Sequence, residues 1–210
     1  MWNKKLYVFD FDGTLTTRDT LIAFIRFARG TTWLLRCLLR LLPWLVLMKL
    51  HLADNGRTKE RLFSLCFKGM ELATFNDLCS RFAVAASHRI IRQDTWDVMQ
   101  KAIAGGSRVF IVSASIDNWV KPFFNSMGSV TILGTQIETK DNRLTGRFLT
   151  PNCYGAEKVR RLKEAVPGLT SNRRQYDVIA FGDSRGDKEM FEYADESYYI
   201  GKAYFRPDAR

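Results

Sequence analysis

The sequence predicts an α/β protein, a mostly parallel sheet with helices on both faces, carrying an all-helical insertion after its first strand. Three observations carry this. The stretch LYVFDFDGTLTTRDT, Leu6 to Thr20, opens as an aromatic and β-branched run suited to a buried strand, then sets Asp10 and Asp12 into it. From Ser107 onward, strand-like and helix-like segments alternate, which implies parallel strands covered by their crossovers. Between these lie about 80 helix-rich residues, too many for one crossover, so they read as a separate lid grown from the first loop.

In order, Asp19 is an expected N-cap for TLIAFIRFARG, where Leu21, Phe24, Ile25 and Ala28 recur at helical spacing and Gly30 ends the helix. The segment from Thr31 to Leu52 is apolar but for Arg36, Arg40, Lys49 and His51. Its longest uncharged run, Leu41 to Met48, is far short of the roughly 20 residues of a membrane span, and Pro43 is expected to kink or break a helix. A span is therefore not expected. A helix continuing through Gly30 would align Arg29, Arg36 and Arg40 in one stripe. With Trp33 and Trp44, that suits a segment lying on an anionic membrane surface. A helical hairpin packed on itself and on the core fits equally. Thr58 is expected to cap TKERLFSLCFKG, which Gly69 closes, and Asp94 to cap DTWDVMQKAIAGG, with Gly105 just past its end. SRVFIVSAS is a buried strand, NWVKPFFNSMG a helix, and SVTILGTQIETKDNRLTGRFL a strand followed by a hairpin across Asp141 and Asn142. AEKVRRLKEAV and DKEMFEYA are helices, and YDVIAFGDS and ESYYIG strands.

Composition narrows the chemistry. At 210 residues with 46% apolar, the chain can bury a full core, and its net charge of +10 favours anionic partners. Cys37, Cys66, Cys79 and Cys153 form no CxxC pair, as in a reduced intracellular chain. The two histidines, His51 and His88, lie in no zinc or triad context. No nucleic-acid motif is present, and no apolar leader precedes the first strand.

Four clusters fall at or just after predicted strand ends: Asp10 with Asp12, Ser113 closing VFIVS, Lys158 in CYGAEKV, and Asp183 with Asp187 in GDSRGD. Each alone has an ordinary structural explanation. Together, in this order, they resemble the four motifs of the haloacid dehalogenase (HAD) superfamily over essentially the whole chain. Within it the chain is similar to the phosphoserine-phosphatase-like subgroup, HAD-IB. The basic apolar insertion and CYGAEK resemble the C-type phosphatidylglycerophosphate phosphatases.

The resemblance implies a Rossmann-like core of residues 1–17 and 95–210 with a C1-type cap of residues 18–94. It implies Mg²⁺ held by the Asp10 carboxylate, the Asp12 backbone carbonyl and Asp183, with Asp187 in support. Asp10 would be the nucleophile and Asp12 the general acid–base, while Ser113, Ala114 and Lys158 would hold the substrate phosphate. One departure is visible: where phosphoserine phosphatases follow the serine with glycines, this chain has Ala114 and Ser115. That departure and the leucine-, tryptophan- and arginine-rich cap point to an amphiphilic phosphoester. The expected location is cytoplasmic, peripheral at the inner membrane surface. Two other readings stand beside it: a phosphatase or phosphotransferase of phosphoserine or another small metabolite, and a non-catalytic basic protein binding a membrane surface.

Overall fold

The computed structural model describes residues 3–49 and 54–201. Strand β1 (Lys4–Phe9) lies at the centre of a five-stranded sheet whose strands all run parallel. On one side are β2 (Arg108–Ile116) and then β3 (Val130–Thr135). The short strands β4 (Ile137–Lys140) and β5 (Arg143–Phe148) form a separate antiparallel hairpin. Beyond β1 on the other side are β6 (Tyr176–Gly182) and β7 (Glu196–Tyr199).

Both faces of the sheet are buried. Along β1, Leu6 and Val8 join one apolar cluster and Phe9 the other, the two-residue alternation of a strand covered on both sides. On the Leu6 face lie α7 (Ala156–Ala165), α8 (Gly168–Ser171) and α9 (Lys188–Tyr193), with Leu162, Leu169 and Met190 buried. The Phe9 face meets α5 (Gln93–Ala104) and the short α6 (Asp117–Val120), through Met99, Trp119 and Val120.

The insertion holds α1 (Thr20–Arg29), α2 (Thr31–Lys49), α3 (Asn55–Phe67) and α4 (Leu72–Ile90). Its two ends meet at a short neck, where Thr17 N–H donates to the Ile90 carbonyl (2.7 Å) and Arg92 N–H to the Leu15 carbonyl (2.9 Å). The β4–β5 hairpin grips it from the core side. Gly69 N–H donates to Leu144 O (2.8 Å), Leu144 N–H to Met70 O (2.9 Å), and Leu72 N–H to Asn142 O (2.8 Å). Asp141 and Asn142 have φ of 50° and 57°, as a tight two-residue hairpin turn requires.

Several local expectations are corrected. Pro43 does not break its segment, and no hairpin forms: α2 is one 19-residue helix with Pro43 inside it. The missing N–H frees the Leu39 carbonyl, and at 70% exposure of Leu39 water can satisfy it. By length and composition, Thr31–Met48 could cross a membrane; 17% of it is buried. Gly30, at φ 83°, ends α1, so Arg29 does not share a helix with Arg36 and Arg40. It donates to the Cys66 carbonyl instead (2.8 Å). Asp54, not Thr58, caps α3, and Thr58 bonds back to the Asp54 carbonyl. Asp94 sits inside the first turn of α5 rather than before it. The helix expected from Asn118 to Gly128 is only α6 plus one 3₁₀ turn, Lys121–Phe124. His88 is exposed on α4, and His51 lies outside the described residues.

Candidate active site

The site forms where β1, β2 and β6 end, the edge at which open α/β sheets bind ligands. β1 delivers Asp10, whose N–H bonds to the Phe181 carbonyl of β6 (2.8 Å). Gly13 turns the chain away at φ 76°, and a Cβ there would stand 2.0 Å from Asp183 Oδ2. Only glycine lets this loop lie against the Asp183 carboxylate. Arg92, at the base of the insertion, supports the turn by donating to the Gly13 carbonyl (3.3 Å).

Lys158 is buried between two carboxylates, Nζ donating to Asp10 Oδ1 (2.7 Å) and to Asp187 Oδ1 (2.5 Å). Burial alone would lower its pKa; the two negative charges outweigh that and hold the ammonium protonated well above its ordinary range. The lysine is positioned by the turn before α7, where Gly155 N–H donates to the Gly186 carbonyl (2.9 Å). Asp187 Oδ2 accepts from the backbone N–H of Asp183 and Ser184 and from Ser184 Oγ, so both its oxygens are engaged within the protein.

Asp12 points the other way. Its Oδ1 accepts from Thr20 N–H (2.7 Å) and Thr20 Oγ1 (2.6 Å), and its Oδ2 accepts from Ser115 Oγ. Trp119 Nε1 donates to Thr20 Oγ1 (3.2 Å) and fixes that hydroxyl from behind. Burial raises the Asp12 pKa, and the Asp19 charge adds to it; the three donors offset part of the rise. Ser113 is buried beside these groups, with Oγ accepting from Ser115 N–H (3.1 Å).

Asp10, Asp183 and Asp187 offer oxygens all within 4.8 Å of one another. Burial pushes Asp10 well above the usual carboxylate range, and Asp183 to about 6, with the Asp187 charge pushing both the same way. Crowded anionic oxygens of this kind suit a hard divalent cation. With Asp187 already occupied, Asp10 and Asp183 are the carboxylates with capacity to spare.

All the expected residues gather at one cavity of about 340 Å³: Asp10, Asp12, Ser113, Ala114, Lys158 and Asp183 line it, and Asp187 stands behind. Sequence reasoning missed Arg18 and Lys59, which also line it, and the carboxylate partners Thr20 and Ser115. Ser115 stood out in the sequence only as a departure from glycine.

The fold and this carboxylate–lysine site are those of a hydrolase. A family model described as haloacid dehalogenase-like hydrolase matches residues 7–192. The chain belongs to that family. Protein CicA of Caulobacter vibrioides is 34% identical over 196 residues, 92% of this chain and 85% of CicA. Among solved structures, a protein of unknown function from Bordetella pertussis Tohama I superposes with TM-score 0.75 at 20% identity, over 94% of this chain and 90% of that one. A phospho-aspartyl intermediate analogue of phosphoserine phosphatase gives 0.62 at 19%, over 94% and 86%. At such identities the likeness is one of fold.

Proposed function

We propose that this protein is a Mg²⁺-dependent phosphomonoesterase working through an aspartyl-phosphate on Asp10, on an amphiphilic phosphoester such as phosphatidylglycerophosphate. The observation that carries the reaction is the paired environment of its two carboxylates: Asp10 against Lys158 at 2.7 Å, Asp12 turned into hydroxyl donors. Two nearby carboxylates so differently surrounded can take different roles.

Asp10, Asp183 and the Asp12 backbone carbonyl would hold Mg²⁺, which when bound neutralises charge on the phosphoryl oxygens. Lys158 offsets further charge there, and Ser113 with the Ala114 backbone orients the group. An Asp10 oxygen attacks phosphorus as the bond to the leaving alkoxide breaks. Protonated Asp12 gives its proton to that oxygen. Asp12, now ionised, takes a proton from water as the water attacks phosphorus, the bond to Asp10 breaks, and phosphate departs. Such acid–base help contributes about 10²–10⁴-fold.

The membrane part of the proposal is supported by α2. Leu35, Leu39, Leu42 and Val46 form one outward stripe, each at least half exposed, with Arg36 and Arg40 beside them. Leu34, Cys37 and Leu41 on the other side are buried in the cap. Spanning would strip out those contacts and put arginines into hydrocarbon, at roughly 2.5–3.5 kcal/mol each. Lying on an anionic surface keeps both, so the protein is peripheral at the cytoplasmic face.

The direct test is Mg²⁺-dependent phosphate release from phosphatidylglycerophosphate in mixed micelles, beside phosphoserine. Asp10→Asn should abolish release without unfolding the chain; retained activity would sink the mechanism. Preference for phosphoserine would overturn the lipid reading, and phosphate found on an added alcohol would make the enzyme a phosphotransferase. Sedimentation with anionic vesicles at low salt, partly reversed at high salt, tests α2. No sedimentation at low salt returns that face to solvent.

A further inference from the structure

Arg18 and Asp19 line two cavities: the catalytic one and a neighbouring groove of about 640 Å³. That groove draws Arg18 from the loop after β1, Arg26 from α1 and Arg89 from α4, with Ile22 and Phe27 beside them. Among the described residues, none of these three guanidinium groups lies within ion-pair distance of a carboxylate. Arg81, Arg160 and Arg173 pair with Asp77, with Glu157 and Glu164, and with Asp195; what sets Arg18, Arg26 and Arg89 apart from other unpaired surface arginines is that all three line one groove beside the catalytic cavity. The one acid in the groove, Asp19, accepts from the Ile22 N–H through Oδ1 as the α1 cap (3.2 Å), and its single charge offsets part of the three cations. Three cations against one carboxylate leave the groove net positive, which favours a further anion there. Ile22 and Phe27 are exposed at 37% and 42%, so the same groove also offers apolar surface.

We propose that this groove is a second anion subsite: it holds a second negative group on the substrate, separated from the reacting phosphate by an apolar spacer. The inference rests on the phosphomonoesterase reading and defines its substrate class. Guanidinium forks accept phosphate or carboxylate bidentately, so either can be the second group. Arg18, common to both cavities, bridges the two ends.

Three probes built on one six-carbon chain separate the effects: hexyl phosphate, 6-(phosphonooxy)hexanoate and 1,6-hexanediol bisphosphate. Wild-type kcat/KM is expected to be about 10- to 100-fold higher for a doubly anionic probe than for hexyl phosphate. Which of the two gains identifies carboxylate or phosphate. Arg26→Gln with Arg89→Gln should erase that advantage, mainly through KM, and leave hexyl phosphate unchanged. Equal turnover of all three probes by the wild type, or an equal loss on all three in the double variant, overturns the subsite. Calorimetric titration of 1,6-hexanediol bisphosphate into Asp10→Asn, with and without the two arginine changes, reads binding without turnover. Arginine-dependent binding with no hydrolysis by the wild type keeps the groove and overturns the phosphatase reading. Hydrolysis without arginine dependence does the reverse.

Discussion

Replacing Ser115 by alanine tests the division of labour between the two carboxylates. Ser115 is buried, and its Oγ is the donor on Asp12 Oδ2, while Thr20 serves Oδ1 at 2.7 and 2.6 Å. A hydrogen bond to a charged group contributes about 1.5–3 kcal/mol. The bond favours the ionised form, so its loss raises the Asp12 pKa, adding to the rise that burial already causes. At about 1.4 kcal/mol per pKa unit, the shift is about 1–2 units. In the mechanism proposed above, breakdown of the phospho-enzyme needs Asp12 ionised to take a proton from water. The acid limb of the kcat profile should therefore move about 1–2 units towards alkaline pH, with activity on that limb falling about tenfold per unit. Ser115→Thr keeps the hydroxyl and should restore the profile. The assay is phosphate release across pH under saturating substrate and Mg²⁺. A Ser115→Ala profile superimposed on the wild type, with only a lower Tm, would mean that Ser115 fills space and does not tune Asp12.

Two further expectations follow from neighbouring contacts. Gly13→Ala places a methyl 2.0 Å from Asp183 Oδ2 on a backbone with φ 76°; the displaced carboxylate should cost about 10²-fold in kcat and raise the Mg²⁺ concentration needed for half activity, and unchanged Mg²⁺ dependence would refute the contact. Glu157→Gln weakens the pair with Arg161, a buried cation that also holds the Thr150 hydroxyl (2.8 Å) and the Pro151 carbonyl (2.6 Å); the loss should be about 1–3 kcal/mol at pH 7 by chemical denaturation. Its pKa is lowered, first by the Arg160 hydrogen bond, so the stabilisation is present above the unfolded value near 4.3 and disappears as pH falls through the folded one. A difference from wild type that did not shrink as pH fell below the unfolded value would contradict that origin.

Much of the fold is written locally. The apolar, β-branched and aromatic run of Leu6 to Phe9 and the Asp141–Asn142 turn each state their conformation within a few residues. Asp10, Asp12 and Asp183 were legible because charge at the end of an apolar run is costly without a purpose; Lys158, ordinary alone, was legible only through its place in the order of the four clusters. What stayed hidden depends on distant partners. Ser115 reaches Asp12 across 103 positions, and Arg161 meets Gly134 across 27. No window of sequence contains either pair. Pro43 was misjudged for the opposite reason: the local rule against proline in a helix is sound, but the carbonyl it frees belongs to an exposed residue, where the lost hydrogen bond costs less than it would in the core.

The two anchors of the insertion decide how a substrate can reach Asp10. A lid on the neck alone could swing about the bonds joining Thr17 to Ile90 and Arg92 to Leu15. Here the β4–β5 hairpin, which belongs in sequence to the core, also holds the turn between α3 and α4. Three backbone bonds do this, with Arg143 donating to the Gly69 carbonyl (2.8 Å). At about 0.5–1.5 kcal/mol each, releasing these four bonds costs about 2–6 kcal/mol before any apolar contact between α3 and β5 is lost. A cap opened that way is a minor state, at about a few per cent or less. The groove bounded by Arg18, Arg26 and Arg89 needs no such release, because it adjoins the catalytic cavity with the cap in its seated position. On the proposed function, side access of this kind would select substrates by what trails behind the phosphate, and apart from Asp19 the charged residues lining that path are arginines set beside apolar side chains.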